Sequence, residues 1–136
     1  MKNAILKVEE GSFLLEYKVG SHAPASFGGQ HHQVFEDGYA INVVDGKISS
    51  IFICYRDGYE GFKACESEVW IKEQAFKFNQ NTTLTNLKAA FGDPVTTWND
   101  GVEMCAEFKI KNIQVEAIWN VDGDPTFDYL SIEVFD

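Results

Sequence analysis

The feature that most constrains this chain is a two-residue alternation toward its C-terminal end. In Val102–Ile110, the residues Val102, Met104, Ala106, Phe108 and Ile110 share one parity, and Glu103, Cys105, Glu107 and Lys109 share the other. Ile113, Val115, Ala117 and Trp119 repeat the pattern against Gln114, Glu116 and Ile118. In Phe127–Phe135, Leu130, Ile132 and Val134 alternate with Tyr129, Ser131 and Glu133. Successive strand side chains point to opposite faces, so this period specifies strands with one buried and one solvated face. Lys111-Asn112 is a tight connection and Val121–Pro125 a longer turn, as expected of antiparallel neighbours.

Strand signals continue upstream, where 11 Phe and frequent β-branched residues suit a half-buried pleated surface. Ile5–Val8 and Phe13–Val19 flank Glu9-Glu10-Gly11 and read as a hairpin, with Phe13, Leu15, Tyr17 and Val19 on one side. Tyr39–Val44 and Lys47–Tyr55 flank Asp45-Gly46, a preferred two-residue hairpin turn. Glu68–Phe78 supplies one or two further strands. Ser21–Gln33, with Pro24, Gly28 and Gly29, reads as a surface loop.

One segment changes period. Leu84, Leu87, Ala90 and Phe91 form a helical stripe, Thr82 or Thr83 can cap its start, and Gly92 and Pro94 end it. The order strands–helix–strands predicts an α+β fold: a mostly antiparallel sheet with one short helix, at about 83–91, packed on it. A length of 136 residues fits a single domain spanning 1–136.

Charge is distributed unevenly. The chain has 11 Lys plus Arg against 21 Asp plus Glu, a formal charge of −10. Residues 1–92 carry a net −2 and residues 93–136 a net −8. An acidic chain is a poor match for nucleic acid or an anionic membrane surface, so neither is expected as a partner. Strand parity then sorts the acids: Glu103, Glu107, Glu116 and Glu133 fall on the outer face, with Tyr129 and Ile118 among them. Asp93, Trp98, Asp100, Asp122, Asp124 and Asp128 stand in the adjoining loops. A solvated face that keeps the chain soluble is one explanation. The other is a surface for a basic protein partner, with Trp98, Asp100, Glu103, Glu107, Glu116, Tyr129 and Glu133 as contact residues.

Catalytic and ligand motifs are sparse. Cys54, Cys65 and Cys105 lack CxxC spacing and read as small buried side chains, not as disulfides or a zinc site. His31 and His32 are adjacent, so an extended backbone sends them to opposite sides and makes no two-histidine metal face. They and the 21–33 loop carry the alternative expectation, a small-ligand or enzymatic site. Asn120, Asp122 and Asp124 alternate like the start of a calcium loop, but Pro125 and Ser131 occupy the positions that need Gly and Glu. Asn81-Thr82-Thr83 matches a glycosylation sequon that only a secreted context would use. No glycine-rich phosphate loop and no GxSxG elbow occur. No catalytic residue, metal or cofactor is expected. Lys7, Glu9 and Glu10 interrupt the first apolar stretch, and no apolar run reaches about 18 residues, so a cytoplasmic location is expected.

Thr83–Pro94, ending Phe91-Gly92-Asp93-Pro94 and followed by three amphipathic strands, resembles a helix–FGxP–antiparallel-sheet unit of small bacterial proteins. Many of these are immunity proteins of polymorphic toxin and contact-dependent inhibition systems, and the resemblance covers residues 83–135. Inhibitors of the β-lactamase-inhibitory type share a similar helix-then-sheet order. The resemblance implies a non-catalytic cytosolic antidote that binds one cognate toxin domain. Toxin nucleases are often basic, and an acidic inhibitor mimics their polyanionic substrate.

Overall fold

The computed structural model describes residues 5–134, and Phe135, placed in the last strand from sequence, lies outside them. The fold is α+β, with mostly antiparallel strands and one short α-helix. The strands are β1 (Ile5–Lys7), β2 (Ser12–Phe13), β3 (Tyr17–Lys18), β4 (His32–Val34), β5 (Tyr39–Val44) and β6 (Lys47–Cys54). They continue as β7 (Glu68–Ile71), β8 (Gln74–Lys77), β9 (Thr96–Asn99), β10 (Glu103–Ile110), β11 (Ile113–Asn120) and β12 (Thr126–Val134). The helix α1 (Leu84–Phe91) stands between β8 and β9 in sequence.

The strands form two sheets. The larger runs β4-β5-β6-β12-β11-β10-β9 and is antiparallel throughout; the smaller runs β3-β2-β1-β7-β8. The smaller sheet contains a parallel pair, β1 with β7, in which Leu6 stands beside Val69. The inward parity read from sequence holds in the larger sheet. Val115 pairs with Ile132, Ala117 with Leu130, and Leu130 in turn with Ile53. These residues share one buried core with Leu6, Val8, Phe13, Val69 and Ile71 of the smaller sheet. Phe13 meets Tyr39 edge-on across the two layers, ring centroids 4.8 Å apart.

The helix forms where the period change predicts. Thr83 is its N-cap and accepts the Asn86 N–H, while the Asn86 side chain accepts the Thr83 N–H. Leu87 is fully buried, and Phe91 packs on Phe108 of β10 with centroids 5.0 Å apart. Trp119 of β11 donates its indole N–H to the Thr82 carbonyl at 2.8 Å. The helix therefore seats against the inner side of the larger sheet and takes no part in its outer side.

Three local expectations change. The Phe13–Val19 strand is broken: Leu14 and Leu15 adopt φ of 56° and 63°, and Phe13 pairs with Tyr17 across a three-residue loop. Leu15 consequently points to solvent instead of sharing the Phe13 side. The 21–33 loop ends in strand, because His32 and Gln33 pair with Ile41 and Ala40. Residues 96–99, treated from sequence as loop, form the edge strand β9 against β10.

Candidate functional site

The outer face of the larger sheet is divided in two. Over β5 and β6 it is covered by the segment that follows β6. Phe62 from that segment packs on Phe52 at 5.1 Å and on Phe35 at 4.5 Å, and Tyr59 reaches Tyr129 at 5.8 Å. Ala40, Cys54 and Phe62 form a small second core there. Gly38 permits this cover, because a Cβ at its position would lie 2.1 Å from the Lys63 carbonyl oxygen. Its φ of +75° is also one that side chains resist.

Beyond Tyr129, over β12, β11 and β10, the acids occupy the face. Glu107 and Glu116 are direct cross-strand partners, Glu133 stands beside Gln114, and Glu103 beside Asn120. Side chains so paired have Cβ atoms about 5 Å apart, close enough for like charges to repel. Glu103, Glu107 and Glu116 are half-buried and Glu133 is exposed. Beneath them Cys105 and Ile118, also partners, are 1% and 4% exposed. Tyr129 and Trp98 flank this pair along the same row, Trp98 opposite Cys105 on the edge strand. Trp98 keeps 44% of its surface exposed, and Val95 and Val102 nearby are likewise exposed.

Burial raises the Glu116 carboxyl above its ordinary range. The charges of Glu107, Glu133 and Glu103 raise it further, against a hydrogen bond from Tyr129. The Tyr129 hydroxyl is itself pushed up, by burial first and then by Glu116. Burial, with Glu116, Glu107 and Glu103 behind it, takes the Cys105 thiol up to about 12. One donor atom each from Cys105, Glu107 and Glu116 lies within 4.8 Å of the other two.

The structure thus brings Glu103, Glu107, Glu116, Tyr129 and Glu133 to one face, with Trp98 at its rim. Asp100 has a different place. Its Oδ1 accepts the backbone N–H groups of Glu103 at 2.8 Å and Val102 at 2.9 Å, closing the β9–β10 turn and lowering its pKa. Asp128, read from sequence as a loop acid, is 1% exposed. A bulge between Ile118 and Trp119 sets Trp119 opposite Phe127 and Ile118 opposite Tyr129, leaving Asp128 as the extra residue. Its carboxylate faces Arg56 at 3.5 Å.

Several other groups singled out from sequence have structural places. His31 accepts the Val43 N–H on Nδ1 at 2.8 Å, and His32 stacks on Phe27 at 4.5 Å. Cys54, Cys65 and Cys105 are free and buried. Asn120 accepts the Asp122 N–H, as a turn residue does. A groove of about 530 Å³ lies by the smaller sheet, lined by Lys7, Leu15, Trp70 and Lys111 among others. Two of its lysines already face acids, Lys111 with Glu9 at 3.3 Å and Lys7 with Glu10 at 3.9 Å.

No helix of the described residues is long and apolar enough to cross a membrane. No family model matches the chain, and no curated protein or solved structure matches it.

Proposed function

We propose that the uncovered half of the larger sheet is a docking face for a basic protein, and that the chain acts as a non-catalytic inhibitor of the immunity-protein kind. One observation carries this reading: Glu103, Glu107, Glu116 and Glu133 converge on the part of the face that the 57–62 cover leaves free. Directly opposed like charges cost the isolated chain about 0.2–1 kcal/mol per pair. A cationic partner turns that cost into attraction. A concentrated field of one sign also steers encounter and raises association rates. Trp98 offers what charge alone does not, an exposed aromatic surface beside the acids that a partner can desolvate. A toxin nuclease domain has the required sign, and the resemblance of residues 83–135 to immunity proteins points the same way.

The test uses the folded chain as bait in a lysate of its source organism. The wild type is expected to retain one basic protein, released by raising salt from about 0.1 M toward 1 M, where screening shortens to about 3 Å. The double variant Glu107→Lys/Glu116→Lys is expected to lose it while keeping its circular dichroism, and Trp98→Ala to weaken it. Equal capture by wild type and double variant would show that this face is not the docking face.

A further inference from the structure

We propose that Cys105, Glu107 and Glu116 form a site for one divalent cation of the borderline, thiolate-accepting class, of which zinc is the representative. The site lies on the acidic face, but it does not depend on the existence of a protein partner.

The strand geometry makes the donors converge. Cys105 and Glu107 are two residues apart on β10 and share a face, while Glu116 is the cross-strand partner of Glu107 on β11. Their donor atoms already lie within 4.8 Å of one another. Bonds of about 2.3 Å to sulfur and about 2.0 Å to oxygen require these atoms to draw together by roughly 1 Å, within reach of small side-chain rotations.

A second observation is independent of the clustering. Cys105 is 1% exposed, and its thiol has no hydrogen-bond partner among the described residues. The Cys54 thiol, equally buried, is partnered by the Arg56 carbonyl. Cys105 is thus a buried sulfur without a partner, held beside two half-buried carboxylates that remain open to solvent.

A divalent cation turns the like-charge repulsion at this spot into attraction. Glu107 and Glu116, which repel each other across the strands, become joint ligands of one ion, and the Cys105 sulfur gains a partner. Binding replaces the S–H bond with a metal–sulfur bond and releases one proton to solvent; no electron is transferred. Sulfur among the donors selects zinc-like ions over magnesium or calcium, which take oxygen. Three protein donors leave a fourth position for water.

Cobalt(II) is the probe, added to the purified, reduced full chain. A near-ultraviolet thiolate-to-cobalt charge-transfer band saturating at one ion per chain, displaced by zinc, is expected. Because a proton leaves, affinity is expected to rise by about tenfold per pH unit around neutrality. Cys105→Ser should abolish the band, and Glu107→Gln or Glu116→Gln should each weaken binding by about tenfold or more. Circular dichroism of each ion-free variant checks its fold. Zinc should also raise the melting temperature of the wild type and not of Cys105→Ser. Absence of the band at millimolar cobalt, or a band that survives Cys105→Ser or is indifferent to both glutamine variants, would overturn the site. These readouts need no partner, so they can fail while the docking face stands, and the reverse.

Discussion

Asp128 shows how much one residue's placement can matter. It is the extra residue of the β12 bulge, its carbonyl accepts the backbone N–H groups of Tyr55 and Arg56, and its carboxylate is buried against the Arg56 guanidinium. Burial raises its pKa, and Arg56 holds it back. Removing the cation strands a buried carboxylate, so Arg56→Met is expected to cost about 1–3 kcal/mol at pH 7 in urea denaturation. In that variant the folded-state pKa climbs further above the unfolded one. The stability lost at neutrality should therefore return as pH falls toward 4, and a deficit that grows on acidification would refute the pairing. The sequence contained a sign of this bulge. Phe127 and Leu130 both face the core but are three residues apart, a spacing that strict alternation does not allow.

At the scale of elements, what could be read depended on whether the signal was local. β10, β11 and β12 were legible because alternation marked their faces and a turn separated each from the next. The helix was legible because its cap, stripe and terminator are all within about ten residues. The pairing of β1 with β7 was not, since it joins residues some sixty apart and a parallel edge leaves no turn behind. β9 escaped for another reason: its four residues are all exposed, so no buried side chain sets a period. The cover over β5 and β6 was equally silent, although the glycine that makes room for it is testable. Gly38→Ala meets both an unfavourable φ and the Lys63 carbonyl, and is expected to cost about 3 kcal/mol or more. Gly46→Ala has a similar φ of +76° but nothing within 4 Å, and should cost only about 1–2 kcal/mol. Equal losses for the two variants in denaturant titrations would mean that close approach of the 63–65 backbone is unimportant.

For the whole molecule, the relevant quantity is the concentration of negative charge on half of one sheet face. The gathering of Glu103, Glu107, Glu116 and Glu133 on that face followed from parity alone. The burial of Ile118 beneath them did not, because parity says which way a side chain points and nothing about what lies over it; that of Cys105 was expected from the usual behaviour of cysteine. The Glu116 carboxyl is raised by its own burial first, then by Glu107, Glu133 and Glu103, with Tyr129 opposing and Lys109 on the same face. A carboxyl whose pKa is raised by folding adds stability below its ordinary value of 4.5, and that stability disappears as pH rises through the folded value. This group therefore makes the wild type less stable at pH 7 than at pH 5. Glu116→Gln removes the charge, keeps the shape, and is expected to stabilise by about 0.2–1 kcal/mol at pH 7. The gain should shrink toward zero as pH approaches 4.5 and shrink partly in high salt, where the exposed edge of the cluster is screened. Urea denaturation of both proteins at pH 5 and pH 7 measures it. A variant less stable than wild type at pH 7 would mean that Glu116 is held by favourable contacts, and that the face is not under the electrostatic strain from which its docking role is argued.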